Sequence, residues 1–342
     1  MNTLLRNALI LTILAVGAAV INNNINSPSR SSAPLPTFTP LTQTEEKDIT
    51  LISVVATGLD TPWAIAFLPD RSMLVTERKG TVRLIDSNGK LDPLPLATIT
   101  EAKEIGEGGL LGITTHPDFL SNQFVYLYYT YGNDGSNTLN RVVRMRLEDK
   151  QLEDVMVIVD RIPGASNHNG GRIKFGPDKF LYITTGDAEN PSQAQEKNTL
   201  EGKILRVTDE GKVAPRNPFD NPVFSYGHRN VQGIAWDAKG TAWATEHGRS
   251  GVVSGLDELN IIESGKNYGW PEIEGNETRT GMVTAKRNSG ALNTWAPSGD
   301  AFVGNSLFFG GLRGTRLYEA VIENNQVVEL KEHIANQYGR IR

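Results

Sequence analysis

Arg172-Ile-Lys-Phe-Gly-Pro-Asp-Lys-Phe-Leu-Tyr-Ile183 is a short apolar strand, a Pro-Asp turn and a second short strand. Proline presets φ for a turn and aspartate bonds back to its own backbone, so the chain reverses between the two apolar runs. The same unit stands at Ala64-Ile-Ala-Phe-Leu-Pro-Asp-Arg-Ser-Met-Leu-Val75. It begins again at Gly112-Ile-Thr-Thr-His-Pro-Asp-Phe119 and at Gly233-Ile-Ala-Trp-Asp-Ala-Lys-Gly-Thr-Ala-Trp-Ala244. Ile65, Ile113, Ile173 and Ile234 are spaced by roughly 50–60 residues, somewhat longer than the ~40–50 of common propeller blades.

Between the repeats, short strands alternate with Gly, Pro, Asp and Asn. They are expected at Trp63–Leu68, Met73–Thr76, Val82–Ile85, Phe124–Tyr129, Arg141–Leu147, Phe180–Thr184, Ile204–Val207, Ile234–Trp236, Ala242–Thr245 and Ser306–Phe309. No stretch after residue 48 sustains a 3.6-residue apolar period. The class is all-β, and blades of four-stranded sheet around a central channel follow from the repeat. A large sandwich or a two-domain β protein is the alternative, although no linker interrupts residues 48–342.

The formal net charge is −5, which argues against a nucleic-acid partner and supplies no polybasic patch for an anionic membrane. There is no cysteine, so disulfides, thiolate nucleophiles and Cys-ligated metals are excluded. At the N-terminus, Arg6 precedes the run Ala8–Ile21, broken only by Thr12. A bilayer span needs roughly 20 apolar residues, and this run is shorter. Residues 1–21 therefore read as a signal peptide, with an uncleaved signal anchor or a buried helix as alternatives. Residues 22–47 are rich in Asn, Ser, Pro and Thr and read as a flexible tether. The folded body, 48–342, is expected in the periplasm or outside the cell.

Glycine-rich motifs open successive repeats: Gly106-Glu-Gly-Gly-Leu-Leu-Gly112, Asn167-His-Asn-Gly-Gly-Arg172 and Gly227-His-Arg-Asn230. Equivalent loops of different blades converge on one face, so these motifs would share one pocket. His168 can act as a neutral base, or can be a hydrogen-bonded turn residue. Arg229 and Asn230 can bind an oxygen that gains negative charge, or Arg229 can form an inter-blade ion pair. None of the five histidines is paired at i,i+4, so a zinc hydrolase has no local support. His116, in a His-Pro-Asp turn, reads as structural, and His333 as inert; His247 stays open. Asp257-Glu-Leu-Asn260 follows a Gly-rich segment and suits Ca²⁺ or a solvated turn.

These motifs, with His168–Pro177, Gly186-Asp187, Gly202-Lys-Ile-Leu-Arg206 and Asn267-Tyr-Gly-Trp-Pro271, resemble the soluble pyrroloquinoline quinone (PQQ)-dependent glucose/sorbosone and aldose sugar dehydrogenases from about Leu59 onward. The resemblance implies a six-bladed β-propeller with PQQ over the channel and anomeric hydroxyls of aldoses oxidised to lactones. It assigns His168 as general base and Arg229 as the charge-stabilising partner, with Asn230 beside it. It also implies cofactor contacts from Glu107 (where members carry an amide), Arg313 (where some carry lysine), and the pair Arg340 and Arg342. The carbonyls of Gly248 and Arg249 match ligands of a Ca²⁺ that contacts PQQ. Glu258 and the carbonyl of Tyr268 match a second Ca²⁺ site, structural or at a dimer interface. Thr294 and Trp295 fall near a substrate-contacting segment. The implied partners are a small-molecule sugar and an external electron acceptor; a homodimer and an N-terminal anchor stay open. In the family the arginine pair opens the last blade, so an incomplete sixth blade ending at Arg342 is expected, closed outside by a strand near Ile49–Val55. The competing readings are a Ca²⁺-dependent propeller lactonase and a non-catalytic binding propeller, a class that includes the hedgehog-interacting proteins.

Overall fold

The computed structural model describes residues 52–132, 138–251 and 254–342. The export segment 1–21 and the tether 22–47 lie outside the described residues.

From Pro62 the chain forms five antiparallel sheets, each of four strands in sequence order. The first is β1 (Pro62–Phe67), β2 (Met73–Glu77), β3 (Thr81–Ile85) and β4 (Ala97–Thr98). The second is β5 (Leu110–Thr115), β6 (Phe124–Gly132), β7 (Thr138–Glu148) and β8 (Gln151–Pro163). The third is β9 (Ile173–Phe175), β10 (Leu181–Thr184), β11 (Lys203–Val207) and β12 (Val223–Tyr226). The fourth is β13 (Val231–Trp236), β14 (Ala242–Glu246), β15 (Glu258–Ile262) and β16 (Arg287–Asn288). The fifth is β17 (Pro297–Val303), β18 (Ser306–Gly311), β19 (Arg316–Glu323) and β20 (Gln326–His333).

Every repeat unit read from the sequence becomes the first hairpin of a sheet. The first strands β1, β5, β9, β13 and β17 are neighbours in that order, which is the inner ring of a propeller. The second strands carry a recurring device. Thr76, Thr184 and Thr245 each donate a side-chain hydroxyl hydrogen bond to the first strand of the following sheet: to Leu111 O at 2.6 Å, Val231 O at 2.9 Å and Ser298 O at 2.7 Å. All three threonines are buried. A β-branched residue suits the strand, and its hydroxyl satisfies a carbonyl that a purely apolar blade contact would leave without a donor. Around these links the sheets bury Leu74, Leu127, Leu181, Trp243 and Phe309, each aliphatic one contributing about 1.5–3 kcal/mol.

The blade count corrects the expectation: five sheets are present among the described residues, where six with an incomplete last blade were expected. The fifth sheet completes its own four strands with β20. The segment after it does not open another sheet; Ile341 folds back, its N–H donating to Gly311 O at 3.2 Å. The described part of the expected outer strand, Ile52–Val55, pairs with no strand.

Candidate active site at the mouth of the propeller

His168 lies in the loop between β8 and β9 and holds a left-handed backbone, φ 58°. Its Nδ1 is 2.8 Å from Asp187 Oδ1, just beyond β10. Asp187 is fully buried and takes two further bonds, from Trp270 Nε1 at 2.8 Å and from Glu189 N–H at 3.0 Å. A carboxylate so placed accepts, so Nδ1 carries the proton and Nε2 presents its lone pair. Among the described residues Nε2 has no partner, and the side chain keeps 16% exposure. That is the arrangement of a general base oriented by a second group. Gly186 makes the approach geometrically feasible, since a Cβ there would come 1.8 Å from the His168 carbonyl oxygen.

Glu107, in the loop before β5, reaches the same turn: its Oε2 accepts from His168 N–H at 3.2 Å. Arg229 and Asn230 precede β13 on the next blade. Arg229 N–H donates to Glu246, its Nη2 to Ser250 Oγ at 2.9 Å, and its guanidinium lies 5.3 Å over the Trp270 ring. Burial pulls its pKa below the usual arginine value, opposed by the charge of Asp187, Glu246 and Asp257. Asn230 Oδ1 accepts from Gly170 N–H at 3.0 Å and Gln232 Nε2 at 3.1 Å. What remains is informative. Arg229 Nη1 and Asn230 Nδ2 are both buried without an acceptor. Orphaned buried donors are costly, and two side by side fit a ligand that brings oxygen acceptors.

Neither Arg229 nor Asn230 lines the cavity of about 250 Å³ bordered by their partners Gly170, Gln232 and Ser250, which is lined also by Glu107, His247, Arg249, Arg313, Arg340 and Arg342. Burial, together with the neighbouring Arg172, Arg78 and Arg340, brings Arg342 down to about 9. Such crowded cations are relieved by an anionic ligand, and arginine matches carboxylates in two-point fashion. Among the described residues Arg313 makes one side-chain hydrogen bond, Nη1 to Ser254 Oγ at 3.1 Å. The structure thus brings Glu107, Arg313, Arg340 and Arg342 to one cavity; His168 does not line it but adjoins it through Glu107 and Asn169. Arg229 borders an adjoining small cavity with Glu258 and Tyr268, which shares His247 and Gly248 with the first.

Gly248 and Arg249 sit on a loop pinned by Asp257. Its Oδ1 accepts from Gly248 N–H at 2.9 Å, and its Oδ2 from Thr294 Oγ1, Trp295 N–H and Ala296 N–H at 2.8, 2.7 and 3.0 Å. Asp257 is thus spent as a brace. The sequence singled out its neighbour Glu258, whose oxygens take Gly275 N–H at 2.9 Å and Asn260 Nδ2 at 3.0 Å. Asn260 Oδ1 is buried without a donor. Among the described residues no three His, Asp or Glu side chains are grouped to hold a metal; an oxygen site here would draw on backbone carbonyls, as Ca²⁺ sites do.

His116, His247 and His333 are each held by a hydrogen bond. His247 lines the mouth, its Nε2 donating to Pro297 O at 2.7 Å. His116 caps its turn as expected, Nδ1 accepting from Asp118 N–H at 3.0 Å. His333 is paired with Glu319 at 2.8 Å. Sequence reasoning missed Asp187 and Trp270 as the groups that orient His168. Gly-Asp after a strand was a landmark without a role, and nothing in the sequence joins Trp270 to it. Glu246, an inward carboxylate the lactonase reading would need, is occupied by His228 and the Arg229 N–H.

The glucose/sorbosone dehydrogenase family profile matches residues 59–342. The chain is 37% identical over 232 residues to the aldose sugar dehydrogenase YliI of Escherichia coli, across 64% of this chain and 61% of that protein. It is 30% identical over 273 residues to quinoprotein glucose dehydrogenase B of Acinetobacter calcoaceticus, across 70% and 56%. The chain thus spans under two thirds of either relative's length. The PQQ-bound aldose sugar dehydrogenase of Streptomyces coelicolor superposes with a TM-score of 0.79 at 40% identity, over 85% of this chain and 86% of that one.

Proposed function

The chain belongs to the glucose/sorbosone dehydrogenase family, and on that premise we propose that it is a PQQ-dependent aldose sugar dehydrogenase that oxidises the anomeric hydroxyl to a lactone and passes electrons to an external acceptor. The observation that carries the reading is the pairing of one free base with two orphaned donors. His168 Nε2 is unpartnered and oriented by Asp187, while Arg229 Nη1 and Asn230 Nδ2 await acceptors on the adjacent blade.

PQQ, when bound, supplies an electrophilic quinone that accepts the hydride from the sugar carbon. Arg229 and Asn230 would donate to its quinone side, and Arg313, Arg340 and Arg342 would meet its carboxylates. His168 Nε2 takes the proton of the anomeric hydroxyl. Asp187 and Trp270 hold the imidazole in the tautomer that leaves Nε2 free, and Asp187 stabilises the imidazolium that forms. Glu107 fixes the backbone of the same turn through the His168 N–H.

Ca²⁺ belongs to this proposal as a second component. The carbonyls of Gly248 and Arg249 border the mouth; that of Arg249 already accepts from Gly255 N–H at 3.2 Å and has a lone pair left. Glu258, the Tyr268 carbonyl and the unpartnered Asn260 Oδ1 form the second candidate set. Residues 1–21 would export the protein to the periplasm or the cell exterior, which fractionation of an expressing host would check.

The deciding experiment is dye-coupled oxidation of an aldose panel after reconstitution with PQQ and Ca²⁺, alongside fluorescence titration of PQQ. PQQ-dependent turnover is expected. A folded protein that neither turns over sugar nor binds PQQ would overturn the reading in favour of a non-catalytic propeller.

A further inference from the structure

Next to the mouth, with which it shares Trp63 and Arg342, the first strands line an open cavity of about 560 Å³. Its walls are largely apolar, with Ile65, Ile234 and Phe308 among them, yet Arg172, Lys174 and Asp300 also face it. Both carboxylate oxygens of Asp300 on β17 are buried without a hydrogen-bond partner. Lys174 on β9 makes no hydrogen bond or ion pair among the described residues. Arg172, just before β9, spends Nε on Gln232 O at 3.0 Å and stacks 4.3 Å over the Trp63 ring, while its terminal nitrogens are unspent. The two cations and the carboxylate feel one another's charge but are not in contact. The gap between them is bounded by glycine. A Cβ at Gly233 would lie 2.7 Å from Asp300 Cγ, and one at Gly299 2.7 Å from Arg172 Nη2.

We propose that Asp300, Lys174 and Arg172 form a second binding site, inside the channel, for a protonated oxyanion of the hydrogen phosphate type. Two unpaired cations against one carboxylate leave net positive charge in apolar surroundings, which an anion neutralises. The anion must also donate, because Asp300 offers only acceptors when ionised. Hydrogen phosphate does both, through its unprotonated oxygens and its P–OH; sulfate has no proton to give near neutral pH. Burial holds the Asp300 carboxyl up at about 7, against Lys174 and Arg172, and lowers Lys174, consistent with groups that lack their counter-charge. The cavity shares Phe67, Thr114, Thr115 and Lys174 with another of about 880 Å³ and Trp63 and Arg342 with the mouth, so it adjoins both.

The test is calorimetric titration, in the presence of saturating PQQ so that the mouth arginines are occupied, with inorganic phosphate and, separately, with sulfate at pH 8, above the Asp300 value, so that its carboxyl is ionised. Phosphate is expected to bind about tenfold or more tighter than sulfate, a difference of about 1.4 kcal/mol. Asp300→Asn should erase the preference, and Lys174→Met should weaken phosphate itself, with PQQ titration and thermal melting showing that each variant is folded and loads cofactor. The wild-type selectivity stands as evidence even if a variant fails to fold. Equal binding of the two anions, binding of neither, or phosphate binding unaltered in a folded Asp300→Asn variant would each overturn the site.

Discussion

Two histidine–carboxylate pairs lie on neighbouring blades, with the same 2.8 Å separation through Nδ1: His168 with Asp187, and His228 with Glu246. Both histidines come from glycine-flanked motifs. Their second nitrogens differ. His168 Nε2 is unpartnered, with 16% of the side chain exposed, whereas His228 Nε2 is 2.9 Å from Ser225 Oγ and the ring is fully enclosed, stacked 4.6 Å from Tyr268. Glu246 also takes the backbone N–H of Arg229. One pair leaves a ring nitrogen free; the other is fully bonded and sets the position of Arg229. A carboxylate beside an imidazole is therefore insufficient to mark a base: the free nitrogen and the open path decide.

The comparison breaks most readily at His168. Replacing His168 by Gln should lower kcat about 10³-fold, the scale of a lost general base, with PQQ affinity and melting temperature held. Near-normal turnover would remove His168 from the chemistry. Glu246→Gln should act on the other pair, destabilising the fold by about 3 kcal/mol, because it strips a buried imidazole and the Arg229 N–H of their charged acceptor. Urea unfolding measures this; an unchanged midpoint with a large loss of kcat would make Glu246 part of the chemistry instead. Asp187→Asn should reduce kcat about 10²-fold with PQQ affinity held, since the amide permits the wrong tautomer. An Asp187→Asn variant with unchanged kcat would mean that Asp187 only packs.

The smallest effect sharpens the comparison with a third histidine. Burial lowers the pKa of His247 from its usual value, opposed by the charges of Asp257 and Glu107. In the unfolded chain His247 protonates as pH drops through about 6.5, while in the folded state it stays neutral. The unfolded state then binds more protons, so stability falls on acidification below about pH 6.5. His247→Gln should remove that part of the dependence, read from melting temperatures between pH 5 and 8; curves that superimpose would assign the acid sensitivity elsewhere.

Much of the fold was legible because its signals are local. Pro-Asp and Asp-x-x-Gly turns between apolar runs mark each first hairpin, and all the strands expected from them form. The outer strands were harder. β8 and β20 alternate imperfectly and carry many charges, Glu153, Asp154, Glu329 and Lys331 among them, so periodicity alone could not separate them from loop. The blade count failed for another reason: it came from a family pattern, and the pairing of residues 52–55 and 340–342 depends on neighbours rather than on their own composition. At the site, the loops that carry Glu107, His168 and Arg229 were legible because glycine marks where the backbone turns sharply.

The sequence by itself determined the all-β class, the blade repeat, the absence of thiol chemistry and the three glycine-rich motifs that carry His168, Arg229 and Glu107. Each of these is a property of a few consecutive residues. Only the tertiary structure decided which histidine is free, that Trp270 reaches Asp187 across 83 residues of chain, and that Arg229 and Asn230 retain orphaned donors. It also decided that Asp300 faces Arg172 and Lys174 inside the channel. Those facts depend on what fills the space beside a side chain, and in a propeller that space is supplied by the next blade, some 60 residues away.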